Sequence, residues 1–402
     1  MDENISWKVV IMAAVFSLFI LGIAYYFISP QGSEYFSTEK TEKIAEFKNT
    51  RVEGRKEGKR VWEFFAKSGW TSQGQEITHL SEVYNGQIFK DGNLTVTNLS
   101  APRAKAYRRT EVIEIFGPPV KARMDLGKFA PHPKDKKEWI RLTADSIKYS
   151  PAEKSSEMSG KITLAKKDFS ILADKINVDH DKKIASIASP LEIRRKDGAL
   201  KADSGQYLGE TEELKAAGKV SFDLMDNKIR TIMKCNDASL STDHEKDIRL
   251  SGSLEAVQGK KIAIAQEGTY SRQQRNLLLK GKAKAIFEKA RAILKEKTVQ
   301  KLHNPDTKKI LKEKTVVTAD EIVFSTKTSD AKASGNVIVT QREREAKSDA
   351  AVYDDKTEIL TLTGHVAMQE KDGDWVNAQK IIVSIPKETF EAIGSVEAKF
   401  KL

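Results

Sequence analysis

The sequence predicts an all-β fold, an elongated and folded-over antiparallel sheet of stacked units of about 29 residues, preceded by one transmembrane helix. Three observations predict it. They are an uncharged apolar segment near the N-terminus, a skeleton of Asp and Gly that recurs at fixed spacing, and an alternation of apolar and polar residues within each recurrence. Together they indicate that pairing between neighbouring units, and not a large spherical core, stabilises the chain.

Residues 9–28, VVIMAAVFSLFILGIAYYFI, contain no charge over 20 residues. As a helix, this segment spans about 30 Å, the thickness of bilayer hydrocarbon. Trp7, Tyr25 and Tyr26 lie where aromatic rings prefer the membrane interface, and no small-x-small cleavage site follows. We therefore expect a retained single-pass transmembrane helix over residues 9–28. A cytoplasmic leader at residues 1–8 and a linker at residues 29–50 flank it, and the body of the chain lies outside the cytoplasm.

The recurring skeleton joins an Asp-like residue to a small residue fifteen positions later. The pairs are Asp145 and Gly160, Asp174 and Ser189, Asp203 and Gly218, Asp237 and Gly252, Gln266 and Gly281, Asp320 and Gly335, Asp349 and Gly364, and Gln379 and Gly394. A degenerate ninth copy joins Pro102 to Gly117. Such constancy is typical of a repeat protein in which each unit forms one rung.

Within each rung, apolar residues occupy alternate positions on both sides of the glycine. Ile162 and Leu164 follow Gly160 at the second and fourth positions, and Leu360 and Leu362 precede Gly364 in the same way. A period of two indicates a strand with one buried and one solvated face. The central glycine allows a sharp bend or a close approach of another chain segment. Each rung is therefore predicted to be a strand, a turn and a second, bent strand.

Two hairpins are predicted upstream, around residues 56–58 and at Asp91–Gly92. Residues 283–315 differ from the rungs. Ile286, Phe287, Ala290, Ile293 and Leu294 have helical spacing, which favours an inserted helix or mobile loop.

Composition excludes several classes of function. Apolar residues make up 39% of the chain and the mean hydropathy is −0.48, low for a compact α/β enzyme. The net charge is +11, and residues 282–315 hold 11 Lys and Arg against 4 Asp and Glu. No nucleic-acid-binding module accompanies this basic segment. It is better interpreted as a solvated linker or helix surface, the alternative being attraction to an anionic lipid or polyanion.

Catalytic and metal-binding patterns are not found in the sequence. The six histidines are scattered, no phosphate-binding loop, nucleophile elbow or dinucleotide motif occurs, and Cys235 has no neighbouring histidine. One Asp per rung makes a poor calcium cage, so capping of a strand or turn is the favoured interpretation of that Asp. The sequence predicts neither an enzyme nor a metal or cofactor site.

Several segments together resemble a known family. They are the single N-terminal membrane helix, the WEF hairpin, LSAPRAKAYRRTEVIEIFGPPVKA, and the AD-x-(I/A)-x-(Y/F) rungs followed by G-x-V. These resemble LptC, the membrane-anchored protein of the lipopolysaccharide transport bridge, although the chain is about twice as long as an ordinary LptC. TADEIVFS, ASGNVIV and KSDAAVYDDKTEILTLTGHVAMQ are more similar to LptA, of the OstA family. The resemblance divides the body into an LptC-like part at 51–282, a basic insertion or linker at 283–315 and an LptA/OstA-like part at 316–402.

The resemblance implies an opened β-jelly-roll in the periplasm, anchored in the inner membrane. Its trough would bind the lipid A acyl chains of lipopolysaccharide. The chain would receive the lipid from an LptBFG-type ABC transporter and pass it to an LptA-like or outer-membrane LptD-like jelly-roll. No nucleic acid is expected as a partner.

The residues expected to line this trough are the inward-facing apolar residues of the rungs. They are Ile162, Leu164, Leu214, Val220, Phe222, Leu250, Leu279, Ile322, Phe324, Val337, Val339, Leu360, Leu362, Val366 and Met368. Val396, Ala398 and Phe400 lie on the last strand, which is expected to dock another jelly-roll by strand addition. Two alternatives stay open: a membrane-anchored structural scaffold whose interior is a filled core, and a β-helical polysaccharide lyase.

Overall fold

The computed structural model describes residues 43–400, except residues 57, 74–75, 91, 126–138, 167–168, 197, 227–228, 242–245 and 289–293. The predicted leader, the predicted transmembrane helix at 9–28 and most of the predicted linker therefore lie outside the described residues. A search of the described part of the chain finds no helix that is long and apolar enough to cross a membrane.

The described residues form one antiparallel sheet of 24 strands and two short helices, which confirms the all-β class. The first twelve strands are β1 (Lys43–Lys56), β2 (Lys59–Ser72), β3 (Ile77–Lys90), β4 (Asn93–Tyr107), β5 (Ile113–Asp125), β6 (Trp139–Ser150), β7 (Ser155–Ala165), β8 (Phe169–Asp179), β9 (Ile184–Ile187), β10 (Leu191–Arg195), β11 (Gly198–Ala202) and β12 (Ser204–Leu208). The other twelve are β13 (Glu213–Asp226), β14 (Ile229–Ser241), β15 (Ile248–Gln258), β16 (Lys261–Ser271), β17 (Asn276–Phe287), β18 (Thr315–Ser325), β19 (Ala331–Gln341), β20 (Arg344–Asp354), β21 (Ile359–Glu370), β22 (Trp375–Ser384), β23 (Thr389–Ile393) and β24 (Glu397–Lys399). The helices are α1 (Glu296–Lys301) and α2 (Pro305–Ile310).

Strands that are neighbours in sequence are neighbours in the sheet. β1 to β8 pair consecutively, and so do β13 to β22. Three pairs of short strands each take the place of one long strand: β9 and β10, β11 and β12, and β23 and β24. Both members of each pair bond to the same neighbour, β8, β13 or β22. Every rung is thus a hairpin stacked on the next one.

The N-terminal hairpins confirm the predicted turns. Lys56 pairs with Lys59 at the end of β1 and β2, and Lys90 pairs with Asn93 at the end of β3 and β4. Gly58 and Gly92 have φ angles of 77° and 78°, which two-residue hairpin turns require. The sheet begins earlier than the predicted boundary at residue 51, because β1 pairs with β2 from Lys43 onward.

The prediction of a helix or mobile loop over residues 283–315 is wrong for the first residues of this range. Ile286 and Phe287 belong to β17, where Ile286 pairs with Ile262 on one side and Val316 on the other. Strand pairing on both edges satisfies the backbone there and overrides the helical pattern. Among the described residues of this segment, the first helix begins at Glu296.

The recurring Asp and Gly meet at the centre of the bent strands. A Cβ atom added to Gly160, Gly335 or Gly364 would collide with the side chain of the Asp fifteen residues earlier, so that side chain covers a bare glycine backbone. The glycine and the residue after it both have positive φ, and the pairing register shifts there. Such a bulge bends a strand sharply. The repeat therefore marks the fold line of the sheet, and the Asp packs on the bend instead of capping a strand or turn.

Three rungs vary this contact. Asn236, and not Asp237, lies against Gly252. Pro102 lies against Gly117, which confirms the degenerate ninth copy. In the rung without a glycine, the Ser189 hydroxyl accepts a hydrogen bond from the amide of Asp174 at 3.1 Å.

Replacement of Gly335 by Ala is expected to destabilise the fold more than replacement of Gly259 by Ala. Both glycines have positive φ, so each alanine carries a backbone penalty of about 1–2 kcal/mol. A Cβ added to Gly259 would have no atom within 4 Å beyond its two chain neighbours, whereas a Cβ on Gly335 would lie 3.0 Å from the Cβ of Asp320. The Asn336 side chain holds that carboxylate at 2.9 Å, so it cannot move away freely. Urea unfolding should show an additional loss of about 1–3 kcal/mol for Gly335→Ala. Equal losses would show that the Asp does not constrain the bend.

The turns form two rows, because the long strands are bent near their centres. Row A comprises the turns at residues 151–154, 180–183, 209–212, 272–275, 326–330, 355–358 and 385–388, and row B includes those at residues 259–260, 342–343 and 371–374. Backbone hydrogen bonds link successive turns of row A, as from the His180 amide to the Lys154 carbonyl at 2.9 Å. The rows also contact each other: Lys261 beside row B donates to Asp355 in row A at 3.2 Å. The two ends of each bent strand therefore approach across a seam.

The concave face of the bent sheet holds one continuous apolar core that runs from Trp62 in β2 to Ile381 in β22. Phe64, Leu99, Met233 and Leu277 are among its fully buried side chains. The inward parity predicted from the period-two pattern is the buried parity in the structure.

Candidate functional site

The core opens into an apolar cavity near the C-terminal end of the sheet. Its volume is about 660 Å³, and it lies within β17 to β23 beside α2. Its walls include six of the predicted trough residues, namely Ile322, Phe324, Val339, Leu360, Leu362 and Met368. The period-two pattern therefore identifies six residues whose side chains the fold brings to one site.

Small side chains line part of the open space. The inward positions around the cavity include Ala285, Ala333, Ala346 and Ala351. In the rungs before it, the interior is packed around fully buried side chains such as Met233, Leu250, Leu254 and Leu277. Interiors are normally close-packed, so a cavity of this size among apolar side chains marks a place where the core is incomplete.

The remaining predicted trough residues lie in the filled part of the core. Six of them belong to strands before the cavity, namely Ile162, Leu164, Leu214, Val220, Phe222 and Leu250, and Leu279 lies on β17 outside the cavity lining. Val337 and Val366 lie in the cavity-bearing rungs but are each only 1% exposed. The structure thus divides the interior into a packed section and an open section. Contact between lipid and these nine residues stays a prediction.

Several cavity residues were missed by the sequence analysis. They include Phe287, Val317, Tyr353, Trp375 and Phe390. Continuing the alternation from Ala351 to the end of β20 would have found Tyr353. Phe287 was assigned to a helical pattern, and Trp375 and Phe390 lie at strand ends, where parity is harder to read.

One polar contact closes the upstream end of the cavity. The Lys261 ammonium lies 5.8 Å from the centre of the Tyr353 ring and donates hydrogen bonds to Asp355 and to the Ser329 carbonyl, the latter at 3.3 Å. Burial, followed by the nearby carboxylates Asp355 and Glu358, raises the pKa of the Tyr353 phenol above its ordinary value. The phenol therefore stays neutral, and the cavity wall it forms carries no anion.

The mouth of the cavity lies at the C-terminal edge of the sheet. Phe390 and Phe400 are both large, well exposed and part of the lining. Val396 and Ala398, the other predicted docking residues, are exposed on or beside β24. Among the described residues, β23 and β24 pair only with β22, so their other edge is unpaired.

Within the described part of the chain, no group of three or more His, Cys, Asp and Glu side chains could hold a metal ion. Burial raises the pKa of the Cys235 thiol to about 11, so this thiol is not a nucleophile at neutral pH.

Comparison with known proteins identifies the part of the chain that holds the cavity. The family described as LptA/(LptD N-terminal domain) LPS transport protein matches residues 237–389. That match begins inside residues 51–282, the range predicted as LptC-like, and runs through the insertion at 283–315. It supports similarity to the Lpt proteins but not to LptC in particular. No curated protein sequence matches the chain.

Among solved structures, LptH from Pseudomonas aeruginosa is similar at 13% identity and a TM-score of 0.28, covering 36% of this chain and 98% of that one. Its structure is titled the LptA homologous periplasmic component of the conserved lipopolysaccharide transport device. Lpt family proteins are transport and binding proteins, in agreement with the prediction that this chain is not an enzyme. Residues 237–389 are similar to the family of LptA and LptD N-terminal domain lipopolysaccharide transport proteins.

Proposed function

We propose that the chain is a bridge component of lipopolysaccharide transport that holds the acyl chains of lipid A in its C-terminal cavity. The observation that carries the proposal is the coincidence of two findings. The cavity is formed by β17 to β23, and the family match at residues 237–389 covers β15 to β22 and so includes most of the cavity. An apolar cavity of this volume falls within the usual range of ligand pockets, about 300–1,000 Å³.

The chemistry of the cavity suits acyl chains better than a polar ligand. Side chains such as Phe324, Leu362 and Met368 supply a dry surface, and each methylene moved there from water contributes about 0.8 kcal/mol. The polar groups at its upstream end, Lys261 and Asp355, already satisfy one another. Their charges are therefore paired within the protein, and another charged pair of the lining, Arg344 and Glu370, is also joined, at 2.9 Å.

The place of the chain in the envelope is part of the same proposal. Residues 9–28 anchor it in the inner membrane and the body lies in the periplasm, with an LptC-like part at 51–282 and an LptA/OstA-like part at 316–402. An LptBFG-type ABC transporter delivers the lipid. The C-terminal edge passes it to an LptA-like or LptD-like jelly-roll.

A structural role for the upstream rungs is favoured by their packed interior. Leu254 and Leu279 are 0% exposed, so acyl chains could pass there only if the two halves of the sheet separated. The scaffold alternative therefore applies to β2–β17, while the cavity is the ligand-binding part.

Photocrosslinking tests the proposal at a single residue. A photoreactive amino acid at Met368, on the cavity wall, is expected to crosslink to lipopolysaccharide in cells. The same group at Ala367 should not, because Ala367 is the next residue in β21 and is exposed on the opposite face. Adducts are measured by immunoblotting for lipopolysaccharide. Equal crosslinking at both positions, or none at Met368, would contradict lipid binding in the cavity.

A further inference from the structure

The insertion between β17 and β18 crosses the seam between the two rows of turns. Its described part, residues 294–314, is called the strap. The strap replaces a turn of row B, and Gln341 at the end of β19 donates a hydrogen bond to the Ile310 carbonyl at 2.9 Å. Arg342 in row B also pairs with Glu313 of the strap at 3.2 Å. Further contacts of the strap reach row A, so it spans the side opening of the folded sheet.

Two carboxylates of row A hold the strap. The buried Glu358, 2% exposed, accepts hydrogen bonds from the Lys295 amide and the Thr298 hydroxyl. Glu388 accepts from the amides of His303 and Asn304, each at 3.1 Å. The strap is therefore fastened at two successive turns of row A.

The strap also forms one wall of the cavity. Thr307, Ile310 and Leu311 belong to the cavity lining. Leu302 and Leu311 are buried against Leu294 and Ile385 in an apolar cluster separate from the main core. The covering surface is thus apolar toward the cavity, and its buried residues form a cluster distinct from the main core.

The helices of the strap are too short to hold it in place. Each has six residues, well below the roughly 12–15 that an isolated helix needs. No side chain caps the N-terminus of α1. The strap is therefore held by its hydrogen bonds and ion pair to the two rows and by the small cluster, so it can open while the sheet stays folded.

We propose that the strap is a movable cover of the cavity, and that its release from Glu358 and Glu388 opens the seam so that an apolar chain enters from the side. The ligand assignment rests on the proposed function, whereas the movement of the strap does not. At another described place along the seam, the rows are joined by one side chain, Lys90, which donates to the His180 carbonyl at 3.0 Å. The strap differs from this contact, because a segment of chain and not one side chain covers the seam.

The first test loosens the strap and needs no lipid. In the full chain carrying Cys235→Ala, a reporter cysteine replaces Leu360, which lines the cavity two residues from Glu358. The double variant Glu358→Gln and Glu388→Gln is expected to accelerate maleimide labelling roughly tenfold. Each glutamine side chain places an NH2 group, a hydrogen-bond donor, where the carboxylate had an oxygen that accepts from a donor of the strap. The control is Glu343→Gln, whose carboxylate contacts Lys371 within row B. If the double variant does not fold, Glu388→Gln alone serves. An unchanged labelling rate overturns the proposal.

The second test locks the strap. The Lys295 ammonium lies 2.8 Å from the Lys356 carbonyl and both side chains are exposed, so cysteines at these two positions can be joined by a short bis-maleimide. Capture of lipopolysaccharide from vesicles by a photoreactive group at Met368 should fall at least about fivefold after locking, relative to the same protein treated with a mono-maleimide. Equal capture overturns side entry. If no form captures lipid, the proposed function fails, and the labelling test still decides whether the strap moves.

Discussion

Leu279→Asp is expected to unfold the chain, whereas Met368→Asp is expected to leave it folded and to abolish lipid capture. Leu279 is 0% exposed and packs in β17 opposite Ile322 of β18 and Gly268 of β16. Truncating a buried leucine costs about 2–5 kcal/mol, and an unpaired buried carboxylate adds several more. That total rivals the whole stability of a typical domain, about 5–15 kcal/mol. The ladders on both sides of β17 would be lost with it.

Met368 occupies an equivalent inward position, but its surroundings differ. It lies on the cavity wall and is only partly buried, so a carboxylate there keeps water and costs little folding free energy. The charge would, however, oppose an acyl chain at the same place. Circular dichroism and urea unfolding report the fold, and crosslinking from a photoreactive group at Leu360 reports the lipid.

Leu279→Met is the matched control for the core position, because a volume-conserving change costs less than about 1.5 kcal/mol. A folded Leu279→Asp protein of near-normal stability would mean that the upstream interior is hydrated. The division into a packed and an open section would then be wrong.

The contrast between these two positions shows what the sequence could predict. Alternation reports which face of a strand a residue lies on, and on that criterion Leu279 and Met368 are alike. Whether the space in front of that face is filled depends on side chains brought from other rungs, such as Ala333 and Ala351 around the cavity and Leu254 before it. A single sequence indicates the inner face but not the volume enclosed by it.

The other partial failures have the same physical origin. The fifteen-residue spacing from Asp to Gly was readable, but the side chain resting on the glycine depends on strand register, which is why Asn236 and not Asp237 covers Gly252. The helical pattern at Ile286 and Phe287 was overridden by pairing with β16 and β18. The strap was predicted as an insertion, but its position over the cavity depends on Glu358 and Glu388, more than forty residues later.

The C-terminal edge offers a comparison between two valines of the same exposure. Val396 precedes β24 and is 47% exposed, while Val352 lies inside β20 and is 44% exposed. Val396 shares its parity with Phe400, which lines the cavity, and with Ala398, which pairs with the cavity residue Val376. A strand added to this edge would therefore continue the apolar interior beside Val396.

Val396→Asp is expected to weaken association with an LptA-like or LptD-like jelly-roll by at least about tenfold, which corresponds to roughly 1.4 kcal/mol. The carboxylate would lie between two joined apolar interiors, and charges on an unpaired edge disfavour strand addition. Val352→Asp adds the same charge at a similarly exposed position away from the unpaired edge, and should leave the dissociation constant unchanged. Binding is measured with the purified partner, and circular dichroism confirms that both variants are folded. Equal affinity of the two variants would show that the partner docks elsewhere. Docking through this strand requires that the position of the added charge, and not its mere presence on the protein, causes the loss of affinity.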